Sequence, residues 1–162
     1  MIETFEEATS RPDPAYAVDE AAFTLVFDAN DGFTEHLDRL SPEARLIYQV
    51  CRFESEIHSE GFGGFLTNPT GDHCEALLAH LGVLGASNSL RMLRAAMACF
   101  PNGVVPSNRA EREAIWFDAI EGDEVAINTL SALDQEFYAY DDNLCGLMND
   151  YVRAHPEIRV GA

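Results

Sequence analysis

Apolar positions recur along most of the chain at the spacing of amphipathic α-helices. In the segment SPEARLIYQVCRFESEIHSE they follow one another at intervals of one, three or four residues, which places them on one helical face: Leu46, Ile47, Val50, Phe53 and Ile57. Ser41 fits the N-cap of this helix, and Pro42 fits its first position. No stretch alternates apolar and polar residues for long enough to predict a strand. The pattern therefore predicts an all-α fold of six or seven short helices.

The same pattern predicts the domain organisation. Residues 1–15 combine several acids with an Arg-Pro-Asp-Pro segment, and prolines at this spacing do not propagate a helix. We therefore expect 1–15 to form a flexible acidic leader. The remaining residues, 16–162, carry helical spacing almost throughout and are predicted to form a single compact helical domain.

Residues 57–80, IHSEGFGGFLTNPTGDHCEALLAH, interrupt the helical spacing with three closely spaced glycines and a turn sequence. Asn-Pro-Thr-Gly at 68–71 fits a type I β-turn, with Asn first, Pro second and Gly fourth. Asp72 follows, and the Glu three residues later makes it an acidic form of the capping box. Phe62 and Phe65 are expected to anchor this hinge in the core.

The composition of the same segment raises two kinds of ligand site. A phosphate cradle is disfavoured because its glycines follow a helix rather than a strand and are surrounded by carboxylates. A metal site would use His58, His73, Cys74 and His80, yet His73 and His80 are two helical turns apart, roughly 10 Å along the axis. Capping or solvated histidines are the simpler interpretation. A metal-assisted or hydrolase-like enzyme using His58–His80 stays as the alternative function.

Charge gives the strongest functional signal. The chain has 28 acidic and 10 basic residues, for a formal net charge of -18. Such a charge opposes direct binding to nucleic acid or an anionic membrane and attracts a cationic partner. No acid occurs between Glu75 and Glu111, whereas residues 111–150 hold eleven acids and one Arg. An even spread of acids would indicate a merely soluble domain of unassigned role.

Carboxylates three or four residues apart on a helix lie about 5–6 Å from one another, a spacing comparable with that of phosphates along a nucleic-acid strand. We therefore predict a partner-binding surface formed by acidic side chains of the second half of the chain, joined by three from the helix before the glycines. These residues are Glu111, Asp118, Glu121, Asp123, Glu124, Asp134, Glu136, Asp141, Asp142 and Asp150, with Glu54, Glu56 and Glu60. Adjacent or i+2 carboxylates point apart on a helix, so no catalytic residue is assigned.

The remaining chemistry is sparse. Four cysteines lie far apart without a C-x-x-C pair, as expected of reduced thiols in a core. No apolar run reaches the 18 residues of a membrane span. We expect a cytoplasmic protein without a cofactor or a bound metal.

Three ordered blocks of the sequence, Glu56 to Asp72, 100–112 and 133–156, carry a resemblance. The first block fits the signature E-x-x-N-G-G-F-x-x-F-x-x-N-x-x-G, and the three together resemble a bacterial family of DNA-mimic proteins over a core of about 42–156. The residues that match the signature, together with the acid that follows it, are Gly61, Phe62, Phe65, Asn68, Gly71 and Asp72. Ser59 and Glu60 stand where the family has Asn and Gly, so no role of that Asn carries over.

The resemblance implies both a fold and a function. It implies an all-helical, dimeric domain that presents carboxylates to a basic DNA-binding protein, such as a transcriptional regulator, and competes with DNA. Mimicry would depend on the surface acids rather than on the signature, because a shared fold does not by itself transfer a function.

Overall fold

The computed structural model describes residues 11–27 and 36–158 of the chain. These residues form helices and turns without a β-strand, which confirms the all-α prediction. The α-helices of the described residues are α1 (Pro14–Val26), α2 (Pro42–Thr67), α3 (Cys74–Leu84), α4 (Ser87–Met97), α5 (Arg109–Ile115), α6 (Glu124–Tyr138) and α7 (Leu144–Ala154). Short 3-10 helices lie at Leu37–Arg39, Pro69–His73 and Pro101–Gly103, and a π-helical turn, Trp116–Ile120, continues α5. Within the described residues, no helix is both long enough and apolar enough to cross a membrane.

The chain divides into two compact units. Of the described residues, the first unit holds 11–27, 36–51 and 143–158, and the second holds 52–142. The single domain predicted over 16–162 therefore stays a prediction.

The first unit contains α1 and α7, which pack against each other. Asp13 caps α1 by accepting a hydrogen bond from the Tyr16 N–H at 3.1 Å, and Pro14 occupies the first turn, where its missing N–H costs nothing. The predicted leader therefore ends too late, since Pro14 and Ala15 are helical and buried. Residues 1–10 of that leader lie outside the described residues. The amide oxygen of Asn149 on α7 accepts from the Ala15 N–H at 2.9 Å and ties the two helices together.

The core of the second unit is a cluster of four phenylalanine rings. Phe53, Phe62 and Phe65 come from α2 and Phe137 from α6, and all four side chains are buried. Phe53 meets each of the other three edge to face, with ring centroids 5.1 to 6.2 Å apart. Edge-to-face contacts of this kind stabilise a core by about 0.5–1.5 kcal/mol beyond the area they bury. The two predicted anchors of the glycine-rich segment thus lie where the sequence predicted them.

The glycine run bends α2 without ending it. Gly61 is the one non-helical residue within α2, with φ 70° and ψ -178°, and the helix resumes through Thr67. The N–H of Phe62, next to the bend, donates to Asp134 Oδ1 at 2.7 Å. A Cβ atom at Gly61 would lie 2.5 Å from the other oxygen of the same carboxylate, so both the positive φ and the close approach require glycine.

The turn after α2 has the hydrogen bond expected of Asn68–Gly71, because the Gly71 N–H donates to the Asn68 carbonyl at 3.0 Å. The chain then continues as a 3-10 helix, and α3 begins at Cys74. The predicted capping role of Asp72 is therefore wrong. Its carboxylate forms an ion pair with Arg112 at 2.6 Å, because that buried cation attracts it away from the helix end.

Arg112 is the largest fully buried side chain of the described residues, with 0% of its surface exposed. Its Nε donates to the Leu66 carbonyl at 2.8 Å, Nη2 to the Asn68 carbonyl at 2.8 Å, and Nη1 to the Pro106 carbonyl at 2.9 Å. The rigid fork of guanidinium N–H groups suits such convergent acceptors. One cation therefore joins the end of α2, the following turn, the 101–108 loop and α5.

Replacing Arg112 with Met should lower the free energy of unfolding by about 3–5 kcal/mol, because it leaves buried carbonyls and the Asp72 carboxylate without their partner. Chemical denaturation followed by circular dichroism measures this change. Arg94→Met, on the exposed side of α4, is the matched control and should stay within about 0.5 kcal/mol of the wild type. Equal stabilities of the two variants would contradict the role given to Arg112.

A pair of Gly→Ala substitutions tests the tight turn. A Cβ at Gly71 would lie 2.8 Å from the Leu66 carbonyl oxygen and 3.1 Å from Arg112 Nε, so Gly71→Ala should destabilise the protein by about 1–3 kcal/mol. A Cβ at Gly82, in α3, would meet nothing within 4 Å. Gly82→Ala should therefore stabilise it by about 0.5–1 kcal/mol. Thermal denaturation of both variants checks the opposite signs.

Candidate partner-binding surface

The outward-facing acids of the second unit gather where α5 passes into α6. Asn108 caps α5 by accepting from the Glu111 N–H at 3.1 Å, and the helix ends in the π-helical turn, where the Glu121 N–H reaches the Trp116 carbonyl at 2.8 Å. Asp123 then caps α6 by accepting from the Val125 N–H at 2.9 Å. We name residues 117–127, which turn from one helix into the next, the acidic corner.

The acidic corner is almost entirely exposed. Of its eleven residues, only Ile120 and Ala126 are buried. Its four carboxylates are all exposed: Asp118, Glu121, Asp123 and Glu124. No basic residue occurs anywhere from 113 to 152. The corner is therefore a concentrated source of negative potential.

Glu121 and Glu124 do not share a helical face, although their spacing of three residues predicts one. The helix breaks between them, since α5 with its π-helical turn ends at Ile120 and α6 begins at Glu124. These carboxylates therefore project from both sides of a turn, because Asp123 caps a new helix instead of continuing the old one.

Two predicted binding acids are bound within the fold. Asp134 accepts the Phe62 N–H at the bend of α2, and burial raises its pKa while that hydrogen bond lowers it. Asp142 accepts from the backbone N–H groups of Asn88 and Ser89 at the start of α4. Both carboxylates are only half-exposed, and each satisfies backbone donors that a helix start or bend leaves open.

Other predicted acids differ in how far they are engaged. Glu136 is exposed and pairs with Arg91 of α4. Asp150 is exposed and belongs to the first unit, where its Oδ1 lies 3.3 Å from Arg153 Nη1. Glu111 and Asp141 are exposed. Asp141 and Glu111 therefore resemble the corner residues, whereas Glu136 and Asp150 already have an ion-pair partner.

Three acids on α2 hold neighbouring turns. Glu54 accepts from the Tyr140 hydroxyl, Glu56 from the Thr70 hydroxyl and Glu60 from the Asn68 side-chain amide, the last at 3.0 Å. Burial raises the pKa of Glu56, and the Thr70 hydrogen bond opposes that shift. The geometry gives these carboxylates a structural role in the 52–72 region.

His58, the first of the predicted ligand histidines, packs among aromatic rings. Its ring centroid lies 5.4 Å from that of Phe137, 5.8 Å from Tyr138 and 6.1 Å from Tyr140. Its Nδ1 lies 2.9 Å from the Glu54 carbonyl oxygen. These contacts fit an exposed ring that covers the end of the phenylalanine cluster.

The rest of the 58–80 region offers no obvious nucleophile. Cys74 is buried, and burial raises the pKa of its thiol to about 12, so the reactive thiolate is strongly disfavoured. His73 and His80 are both half-buried. Within residues 11–27 and 36–158, no three His, Cys, Asp or Glu side chains converge on a point where they could hold a metal ion.

Sequence reasoning missed two features of this region. Arg112 is the one basic residue among eleven acids at 111–150. That isolation was a signal that it pairs with carboxylates or carbonyls within the fold. The exposure of Phe117, Val125 and Ile127 had no such signal. A π-helical turn changes the register of side chains, and an α-helical spacing rule cannot anticipate it.

The three resembling sequence blocks meet in the second unit. Arg112, from the second block, binds carbonyls of the first, and Asp134 and Phe137, from the third, contact Phe62 of the first. The signature therefore describes how this unit folds, whereas the acidic corner lies between the second and third blocks.

Glu56→Gln tests the engaged carboxylate by pH. The raised pKa means that the folded state holds this proton more tightly than the unfolded chain, whose value is about 4.5. The contribution of Glu56 to the free energy of unfolding is thus present at low pH and is lost as pH rises above that value. Glutamine does not titrate, so the stability of Glu56→Gln relative to the wild type should increase from pH 4.5 to pH 7. Urea denaturation at both pH values measures it.

Thr70→Val is the companion variant. It removes the hydroxyl that lowers the pKa of Glu56, so that pKa should rise further, as followed by NMR titration of the glutamate carboxyl carbons. A stability difference between Glu56→Gln and the wild type that stayed constant with pH would contradict a raised pKa of this half-buried carboxylate.

Comparison with known proteins places this fold in a family. The family model described as DMP19-like protein matches residues 38–155, which is most of the chain and includes the first two resembling blocks and all but the last residue of the third. No curated protein and no solved structure shows significant similarity to the chain. The match confirms the resemblance to the DNA-mimic family. The chain therefore belongs to the family of DMP19-like proteins.

Proposed function

We propose that this protein is a non-enzymatic DNA mimic, which binds a basic DNA-binding protein through exposed carboxylates and thereby competes with DNA. The acidic corner, with Glu111 before it and Asp141 after it in the sequence, forms the binding surface. The observation that supports this proposal most directly is the exposure of Asp118, Glu121 and Glu124 in a segment without a basic residue. Family membership supports the same role.

The distribution of charge within the second unit favours binding over simple solubility. Residues 76–110, which include α4 and most of α3, contain no acid, and Arg91 and Arg94 are exposed there. Acids that served only to keep the protein in solution would cover these helices as well. Negative charge concentrated outside this stretch of the sequence instead attracts a cationic partner during its approach and raises the association rate.

The corner carboxylates are also available for a partner. Among the described residues, none of Asp118, Glu121 and Glu124 forms an ion pair or a side-chain hydrogen bond. Binding therefore does not first have to break an internal contact. A transcriptional regulator fits the chemistry, since its DNA-binding surface is basic. The dimer implied by the family resemblance belongs to the same proposal.

Matched charge variants test the surface. Asp118→Asn, Glu121→Gln and Glu124→Gln together remove three of the negative charges that make up the net charge of -18, all at the corner. The control, Asp38→Asn with Glu75→Gln and Glu157→Gln, removes three charges from exposed positions elsewhere. The immobilised protein should capture DNA-binding proteins from a lysate of its host, and duplex DNA should displace them. Mass spectrometry identifies the displaced proteins.

The affinity of the purified partner should fall roughly tenfold for the corner variant, because each exposed ion pair contributes about 0.2–1 kcal/mol. The control should bind nearly as the wild type does, apart from a small loss of long-range attraction. Affinity should also fall steeply with salt. Capture that duplex DNA does not displace, or equal losses for the two triple variants, would refute the proposal.

A further inference from the structure

Large apolar side chains stand among the carboxylates of the acidic corner. Phe117 is 65% exposed, Val125 is 76% exposed and Ile127 is 36% exposed. Phe117 and Val125 are the two most exposed large apolar residues of the described chain. Glu121 lies four residues after Phe117 and four before Val125, in the turn between them. Three exposed apolar side chains within eleven residues are more than the scattered single ones that a protein surface normally carries.

The local backbone explains how Phe117 reaches the surface. Trp116, before it, lies close to Gly63 of α2, where a Cβ would come within 2.9 Å of the indole ring. Ile120, after it, is buried. Between these two inward residues, the π-helical turn directs Phe117 outward together with Asp118. π-helical turns occur disproportionately at functional sites, since they cost stability that an ordinary α-helix would retain.

Charge decides what covers these side chains. A second copy of this corner would bring four more carboxylates against the first four, and an anionic membrane or nucleic acid would be repelled in the same way. A surface that carries both apolar groups and Arg or Lys side chains complements both the apolar side chains and the carboxylates of the corner. Protein interfaces are commonly built in this manner, with an apolar centre and a polar, charged rim.

We propose that Phe117 and Val125 are apolar anchors, which insert among apolar side chains on the basic surface of the partner while the surrounding carboxylates pair with its cations. This inference rests on the proposed function. It adds an apolar contact that the charged backbone of duplex DNA does not offer the partner. The apolar contact distinguishes among basic proteins, because charge alone attracts all of them. It also makes part of the affinity insensitive to salt.

Two synthetic peptides of equal length and charge provide the probes. Both are helical and carry the same arginines, and leucines on one face of the first are glutamines in the second. The wild type should bind the Arg/Leu peptide at least about tenfold more tightly than the Arg/Gln peptide, as expected for burial of one or two large apolar side chains. The gap should persist in 0.5 M salt. Trp116, the single tryptophan, lies beside Phe117 and reports binding by its fluorescence.

Paired variants assign the effect to the corner. Phe117→Ser with Val125→Ser should reduce the difference between the two peptides to less than threefold. Val83→Ser with Val104→Ser is the control, because each of these valines is 62% exposed and lies in the acid-free part of the same unit. This control should retain the wild-type difference. The corner substitutions are at exposed positions, and circular dichroism verifies that both variants fold.

Each other outcome overturns the proposal. Equal binding of the two peptides by the wild type, no binding of either, or a difference that survives in Phe117→Ser/Val125→Ser would show that these side chains are not anchors. Loss of a dimer on their substitution, seen by sedimentation, would show that a second copy occupies them. The proposed function is judged separately, by the effect of the three corner carboxylates on the captured DNA-binding protein.

Discussion

The second unit depends on one buried cation. Arg112 donates to backbone carbonyls at the end of α2, in the turn that follows and in the loop before its own helix, and it pairs with Asp72. Removing a guanidinium from water is expensive, and only a complete set of acceptors compensates for it. Gly71 is part of the same arrangement, because any side chain there would press against these carbonyls. The cation thereby positions α5, from which the acidic corner begins.

The acids of this protein perform two different tasks. Some, such as Asp134 and Asp142, accept hydrogen bonds from backbone N–H groups that a bend or a helix start leaves open. Others, such as Asp118 and Glu124, are exposed to water in a segment of the sequence without a basic residue. Composition counts both groups as negative charge. Only burial and hydrogen-bond partners distinguish the two roles. A carboxylate that accepts hydrogen bonds from the backbone contributes little to recognition of another protein.

The family signature and the proposed binding surface obey different constraints. Four of the signature residues, Gly61, Phe62, Phe65 and Gly71, are buried in the interior of the second unit, where close packing tolerates few substitutions. The corner between α5 and α6 is exposed, so its side chains can change without loss of the fold. A shared scaffold therefore does not by itself fix which side chains stand at this corner.

The sequence by itself determined the helical class, the face of α2 that carries Phe53, the turn at 68–71 and the clustering of charge, because periodicity, turn chemistry and composition are local properties. The tertiary structure decided what Asp72 and Asp134 do, since their partners, Arg112 and Phe62, lie 40 and 72 residues away. It also decided that Phe117 faces water, because a π-helical turn shifts the register that an α-helical spacing rule assumes. Long-range partners and local breaks in register are the features that a one-dimensional pattern does not encode.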